Sequence, residues 1–298
     1  MKLDRLDRVG LAALEAAVRA GEPVQLLRDL RSRIPMDEIV PFCHGVDDPA
    51  LACHLAPASQ GGRAFSVSVV IPTHRQRPIG LPAFAAQDVP VQLIVLANGA
   101  YVDGMRVPWE GHGTTRNRGW QAAIHPYVLF TVDDALPLGA GFVRTLVDAL
   151  EAGGFDAVTA RQVPWPTTDR ITRARLRDWT PPGPRREPIL DNVCALYRRQ
   201  ALMDDPFDAV PIAEDWHWGR RHRVGYVPAA PVAHAHPRTM RALYTRTRDL
   251  HREHLRAGEV ATVPDWPTMV RALPSTVGPD FRGALGELLG QFAARRGR

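Results

Sequence analysis

Four short apolar runs, each closed by polar or turn-forming residues, constrain this chain more than any other feature. Residues 67–71 are a β-branched run ending at Pro72-Thr73. Residues 93–96 end at Ala97-Asn98-Gly99, residues 128–132 end at Asp133-Asp134, and residues 157–160 form the fourth. Continuous rather than alternating hydrophobicity means strands buried on both faces, as in a mostly parallel sheet sandwiched by helices. Between the third and fourth runs, Phe142, Leu146 and Leu150 recur at helical spacing, which predicts a helix over 141–152. The expected fold class is therefore α/β. In open sheets of this kind ligands bind beyond the carboxyl ends of the strands. Here those ends carry Thr73, Asn98, Asp133 and Asp134.

The flanking segments differ in character. Leu3, Leu6, Leu11, Leu14 and Val18 recur at roughly helical intervals until Gly21, and Pro23 can open a second helix bearing Val24, Leu27 and Leu30. Short helices are marginal alone in water, so this N-terminal helical segment, 1–64, is expected to pack on its neighbour. The expected catalytic domain is 65–240, followed by a C-terminal helical tail, 241–298. Within the domain, residues 163–188 are rich in Pro and Arg and contain Trp165 and Trp179, which reads as a long functional loop or lid.

Charge and cysteine usage exclude some classes. Charged residues near the N-terminus have no unbroken apolar stretch behind them, and the longest apolar runs fall far short of the ~20 residues of a membrane span. The expectation is a cytoplasmic protein without a transmembrane segment. Three cysteines do not make a disulfide framework. The formal charge of +5 is almost all arginine spread along the chain, with Lys2 the lone lysine. Without clustered Lys/Arg interleaved with stacking aromatics, no nucleic-acid partner is expected. Cys43-His44 and Cys53-His54 have spacings of no common zinc module, and no phosphate-cradling glycine loop is present.

Three groups can carry chemistry. Asp133-Asp134 offers hard oxygen ligands at a strand end, suited to Mn2+ or Mg2+ shared with phosphate oxygens. One of the adjacent pair Glu214-Asp215 can serve as a general base, while the pair equally suits the first turn of a helix. His234 and His236, two residues apart after an apolar run, would share one strand face and could complete a carboxylate metal site.

The order of these pieces resembles family-2 glycosyltransferases of the GT-A fold. Val67-Ser-Val-Val-Ile-Pro-Thr73 is similar to their first strand and Leu93-Ile-Val-Leu-Ala-Asn-Gly99 to their second. Thr115-Arg-Asn-Arg-Gly119 resembles the arginine-bearing segment that precedes the metal strand, and Phe130-Thr-Val-Asp-Asp-Ala-Leu-Pro137 resembles the Asp-rich metal motif. Asn192, Tyr197-Arg-Arg199 and Phe207-Asp208 resemble the acceptor-side segment, Glu214-Asp-Trp216 the base motif, and Val232-Ala-His234 the closing histidine. The likeness runs from about residue 65 to 241.

It implies a metal-dependent, inverting transfer from a nucleoside-diphosphate sugar to an acceptor hydroxyl on a natural product, glycan or peptide. It further implies that Pro72, Thr73, Asn98, Arg116 and Asp133 hold the donor. Asp134 would bind the metal, with His234 or His236. Asp215 would be the base, and Glu214 its neighbour in the catalytic pair. Ala97 stands where the family usually has an acid that reads the nucleobase, and Val132 where many members have a further Asp. The donor base is left open. The competing reading is a GT-A-like protein that binds a nucleotide sugar without catalysis, or transfers a nucleotidyl group.

Overall fold

The computed structural model describes residues 65–74, 78–99, 104–164, 179–185, 189–234 and 240–257, with Leu176, Leu289 and Ala293. The helices expected within 1–64, the Cys-His pairs and most of the tail beyond 257 lie outside the described residues. Within them the elements run β1 (Val67–Thr73), α1 (Leu81–Ala85), β2 (Val91–Ala97), β3 (Met105–Arg106), α2 (His112–Gln121), β4 (Tyr127–Thr131), β5 (Leu136–Pro137), α3 (Phe142–Gly153), β6 (Ala157–Val163), β7 (Cys194–Arg198), α4 (Arg199–Asp204), α5 (Glu214–Gly219), β8 (Val224–Ala233) and α6 (Met240–Arg256). Among the described residues no helix is long and apolar enough to cross a membrane.

Eight strands form one sheet in the order β3-β2-β1-β4-β7-β6-β8-β5. The pairs β1/β2, β1/β4, β2/β3 and β6/β8 are parallel. β7 runs antiparallel to both of its neighbours, as β5 does to β8. The sheet is thus α/β as expected, but mixed. The antiparallel β7 has a functional consequence: the residues that lead into it lie at the same sheet edge where β4 ends.

Alternate residues of each central strand feed two cores, which explains why the runs are almost continuously apolar. Val67, Val69 and Ile71 of β1 join Leu129, Leu196, Phe84 of α1 and Phe142, Leu146 and Leu150 of α3 on one face. Val70, Phe130 and Tyr197 join Trp120, Leu202, Phe207 and Trp218 on the other. On that second face Phe130, Tyr197, Phe207 and Trp218 meet largely edge-to-face with centroids 5.0–6.3 Å apart, a geometry that adds attraction beyond area burial.

α2 crosses this face at close range. A Cβ built on Gly113 would stand 1.9 Å from the Asp208 carbonyl oxygen, in the segment that leads to α5. Main chain cannot swing aside as a long side chain can. Gly113→Ala is therefore expected to destabilise the protein by roughly 1–3 kcal/mol through overpacking. Urea unfolding should show a lower midpoint at unchanged slope; a parental midpoint would show that the segment yields without cost.

Candidate active site

Three groups of side chains gather along the carboxyl edge of β1, β2, β4, β6 and β8. The first lies where β1 and β2 end side by side, Thr73 paired with Ala97. The Asn98 amide donates to the Thr73 carbonyl at 3.0 Å, and the Thr73 hydroxyl donates to Asp133 Oδ2 at 2.8 Å. Pro72 sits one residue back, level with Leu96. Burial raises the pKa of Asp133, opposed by the Thr73 hydroxyl, with the Asp134 charge adding to the rise. Thr73, Asn98 and Asp133 thus form one connected polar rim, built because three parallel strands stop together.

The second group is made by β5, β6 and β8. Val163 and Leu136 flank Ala233 from its two sides, so the residue after β8, His234, meets the turn after β4. His234 Nε2 stands 3.5 Å from Asp134 Oδ1, with both side chains largely buried. Its other ring nitrogen, Nδ1, lies 3.1 Å from Gln162 Oε1. The Gln162 amide is oriented by its bond from Nε2 to Asp191 Oδ2 at 2.7 Å, since a carboxylate only accepts. Gln162 Oε1 must then accept, so His234 Nδ1 carries a proton, and Nε2 is the ring nitrogen turned toward Asp134. A histidine poised to bind a cation needs this tautomer. Among the described residues no three His, Cys, Asp or Glu side chains are close enough to enclose a metal alone. Asp134 and His234 could offer a cation one carboxylate and one imidazole, leaving further positions for phosphate oxygens. His236 lies outside the described residues.

The third group surrounds α5. Ala213 adopts a left-handed conformation, φ 69°, the one non-glycine to do so among the described residues. This backbone choice is unfavourable for a residue with a Cβ and needs support from its surroundings. It turns the chain so that Glu214 and Asp215 diverge. Glu214 is buried and its Oε1 accepts from Arg116 Nη1 at 2.6 Å and from Asn192 Nδ2 at 3.0 Å. Asp215 Oδ2 accepts from the Asn192 amide at 2.7 Å, and Oδ1 from the Trp216 amide at 2.8 Å. Tyr197 in turn donates to Asn192 Oδ1 at 2.7 Å.

Asn192 lies just before β7, whose antiparallel course puts it beside the end of β4: the Val132 amide bonds the Val193 carbonyl at 3.2 Å. Burial, then the neighbouring charges of Glu214 and Asp191, push the Asp215 carboxyl up to about 7, against the pull of Arg116. His112, at the start of α2, is held down to about 4 by burial and by Arg116. It stays neutral at the pH where Asp215 titrates.

Other residues are placed differently from their sequence neighbours. Arg116 lies with Glu214 rather than on the Thr73–Asp133 rim. Trp218 is wholly buried in the second core. Trp216 stacks on His254 of α6, centroids 4.4 Å apart, with the Arg220 guanidinium 5.0 Å from its ring. Neither indole offers an open face as a wall for a sugar. The Cys194 thiol is buried and pushed up to about 12, so it is no nucleophile. Gln162 and Asp191 escape the sequence reading. The available signal for Gln162 was a polar residue inside an otherwise buried strand, which needs a partner.

No protein-family profile matches the chain, and no curated protein does so. Solved structures do match. A mannosyltransferase from Pyrobaculum calidifontis in complex with GDP-Man and Mn2+ aligns with a TM-score of 0.57 at 16% identity, over 96% of this chain and 97% of that one. Glucosyl-3-phosphoglycerate synthase from Mycobacterium tuberculosis, in complex with phosphoglyceric acid, gives 0.47 at 19% identity over 66% and 82%. TarS 1-349 of S. aureus with UDP-GlcNAc gives 0.44 at 13% identity over 78% and 92%. The match to the mannosyltransferase spans nearly the whole of both chains and shows that this chain has the GT-A type of fold.

Proposed function

We propose that this chain is a glycosyltransferase that moves a sugar from a nucleoside-diphosphate donor to an acceptor hydroxyl with inversion. The observation that carries the reading is Asp215. It is a carboxylate fixed by two backbone amides, with its pKa raised to about 7, on the sheet edge that also carries the Thr73–Asp133 rim and the Asp134–His234 pair. In the transfer, Asp215 takes the proton of the acceptor hydroxyl as that oxygen bonds the anomeric carbon. The bond from that carbon to the diphosphate oxygen breaks and its electrons leave with the diphosphate.

Asp134 and the Nε2 of His234 would hold a divalent cation, which supplies neutralisation of charge on the leaving diphosphate. Thr73, Asn98 and Asp133 line the nucleoside side, and Pro72 shapes the strand end behind them. Glu214 positions Asp215 through Asn192 rather than acting on substrate. Residues beyond the described ones, His236 included, stay candidates for the same cation.

The test is calorimetry with GDP and UDP, with and without Mn2+, on the parent and on Asp134→Asn. The parent should bind at least one nucleotide more tightly with Mn2+, and Asp134→Asn should lose that gain roughly 10–100-fold while keeping its thermal midpoint. Unchanged Mn2+-assisted binding by Asp134→Asn would overturn the metal assignment. Tight donor binding with no turnover over a panel of nucleotide sugars and acceptors would instead favour a binding protein without catalysis.

A further inference from the structure

Between residues 161 and 187 stand seven arginines (161, 170, 173, 175, 177, 185 and 186) against Asp169, Asp178 and Glu187, and the two described ends of this stretch lie beside the candidate site.

At one end, Arg161 lies on β6 two residues beyond Thr159, just past the point where the register against β8 shifts. Thr159 donates to the Asp191 carbonyl at 3.2 Å and is level with Tyr226 of β8. The Arg161 Nε is buried and meets no hydrogen-bond acceptor among the described residues. At the other end, the Arg185 guanidinium lies 5.0 Å from the Trp179 ring and donates to the Trp179 carbonyl. Trp179 keeps 40% of its surface exposed while its Nε1 donates to Asp191 Oδ2 at 3.1 Å. The Tyr226 hydroxyl, bonded to the Pro181 carbonyl at 2.5 Å, joins the two ends and feels both guanidinium charges. Asp191, touched from this side by Trp179, is the residue whose charge also acts on Asp215. Two guanidiniums, an indole and a phenol are thus grouped around a segment that Trp179 ties to Asp191. A guanidinium fork matches phosphate or carboxylate oxygens, whereas a neutral sugar hydroxyl gives it no counter-charge.

We propose that Arg161 and Arg185 form an oxyanion subsite, and that the acceptor is a small molecule carrying a phosphate or carboxylate near its reacting hydroxyl. The subsite deepens the glycosyl-transfer reading and rests on it for the word acceptor, but the anion site itself can be tested separately. Glycerol 3-phosphate, gluconate and glycerol are titrated by calorimetry into the full chain saturated with GDP or UDP and Mn2+. The two anions should bind and glycerol should not. Arg161→Met and Arg185→Gln should each weaken the anions roughly 10–100-fold, as expected for loss of a charge-assisted contact. The affinity for the nucleoside diphosphate should be unchanged, and Arg161→Lys should retain part of the anion affinity.

Anion binding equal to the parent's in both variants overturns the proposal. Loss of nucleotide and anion affinity together also overturns it, since the arginines would then serve the donor diphosphate. If the parent binds the anions through these arginines but binds no nucleoside diphosphate, the subsite stands and the glycosyl-transfer reading fails.

Discussion

Asp215→Asn is expected to lower sugar transfer by ~10²–10⁴-fold, the usual contribution of a positioned base, while donor affinity stays within a few-fold of the parent. An acceptor hydroxyl is a poor nucleophile at neutral pH, and an amide cannot take its proton. A base acts on the transition state more than on donor binding, so the loss should fall on turnover. Only an ionised carboxylate can take a proton, so the proposed base works in its charged form. The parent rate should therefore rise with pH through about 7 and level above it.

The stability signature has the opposite slope. The folded pKa is raised above the ordinary 3.8, so between those values the folded protein binds more protons than the unfolded chain. This group's contribution thus favours folding at low pH and is lost as pH rises toward 7. Asparagine carries no charge to desolvate, so the midpoint of Asp215→Asn relative to the parent should improve from pH 5 to pH 8. Near-parental single-turnover transfer by Asp215→Asn, with Glu214→Gln inactive, would reverse the roles of the two acids.

The largest stability effect is expected at the Arg116–Glu214 pair. Both side chains are almost fully buried, 6% and 3% exposed, and their contact is 2.6 Å. Removing one partner leaves a buried charge without its counter-ion, which costs ~3–5 kcal/mol. Arg116→Met is expected to fall in that range, since Glu214 would keep Asn192 as a donor but lose the cation. The double replacement Arg116→Met with Glu214→Met should cost less than the sum of the singles, because neither charge is then stranded.

A second readout separates positioning from bulk destabilisation. Glu214 raises the Asp215 pKa and Arg116 lowers it. The midpoint of the pH–rate profile should therefore move down in Glu214→Gln and up in Arg116→Met. Equal midpoints in parent and both variants would mean that the pair does not bias the base.

Much of this was legible in the chain itself. Residues 67–71 and 128–132 are apolar at every position except Ser68 and Thr131, which points to strands covered on both faces, and the two cores fed by alternate residues of β1 bear this out. Phe142, Leu146 and Leu150 placed α3 to within a residue at each end. Strand ends gave Thr73, Asn98 and Asp133 without any tertiary information, because the carboxyl edge of a parallel sheet is where side chains escape the core.

Other features depended on partners far away in sequence. Nothing in residues 194–198 reveals that β7 runs against its neighbours, since buried parallel and antiparallel strands share one apolar signature. Yet that reversal is what brings Asn192 to the end of β4 and lets it hold Glu214 and Asp215 at once. Gln162 and Asp191 gained meaning only when β6 and β8 lay side by side and set the His234 tautomer. Arg116 and Glu214 are 98 residues apart, and a sequence motif cannot show that two opposite charges will be buried against each other. Periodicity and local chemistry, which act over a few residues, were settled by the sequence. Pairing, tautomer and proton affinity depend on desolvation and on neighbours that only the closed tertiary fold supplies.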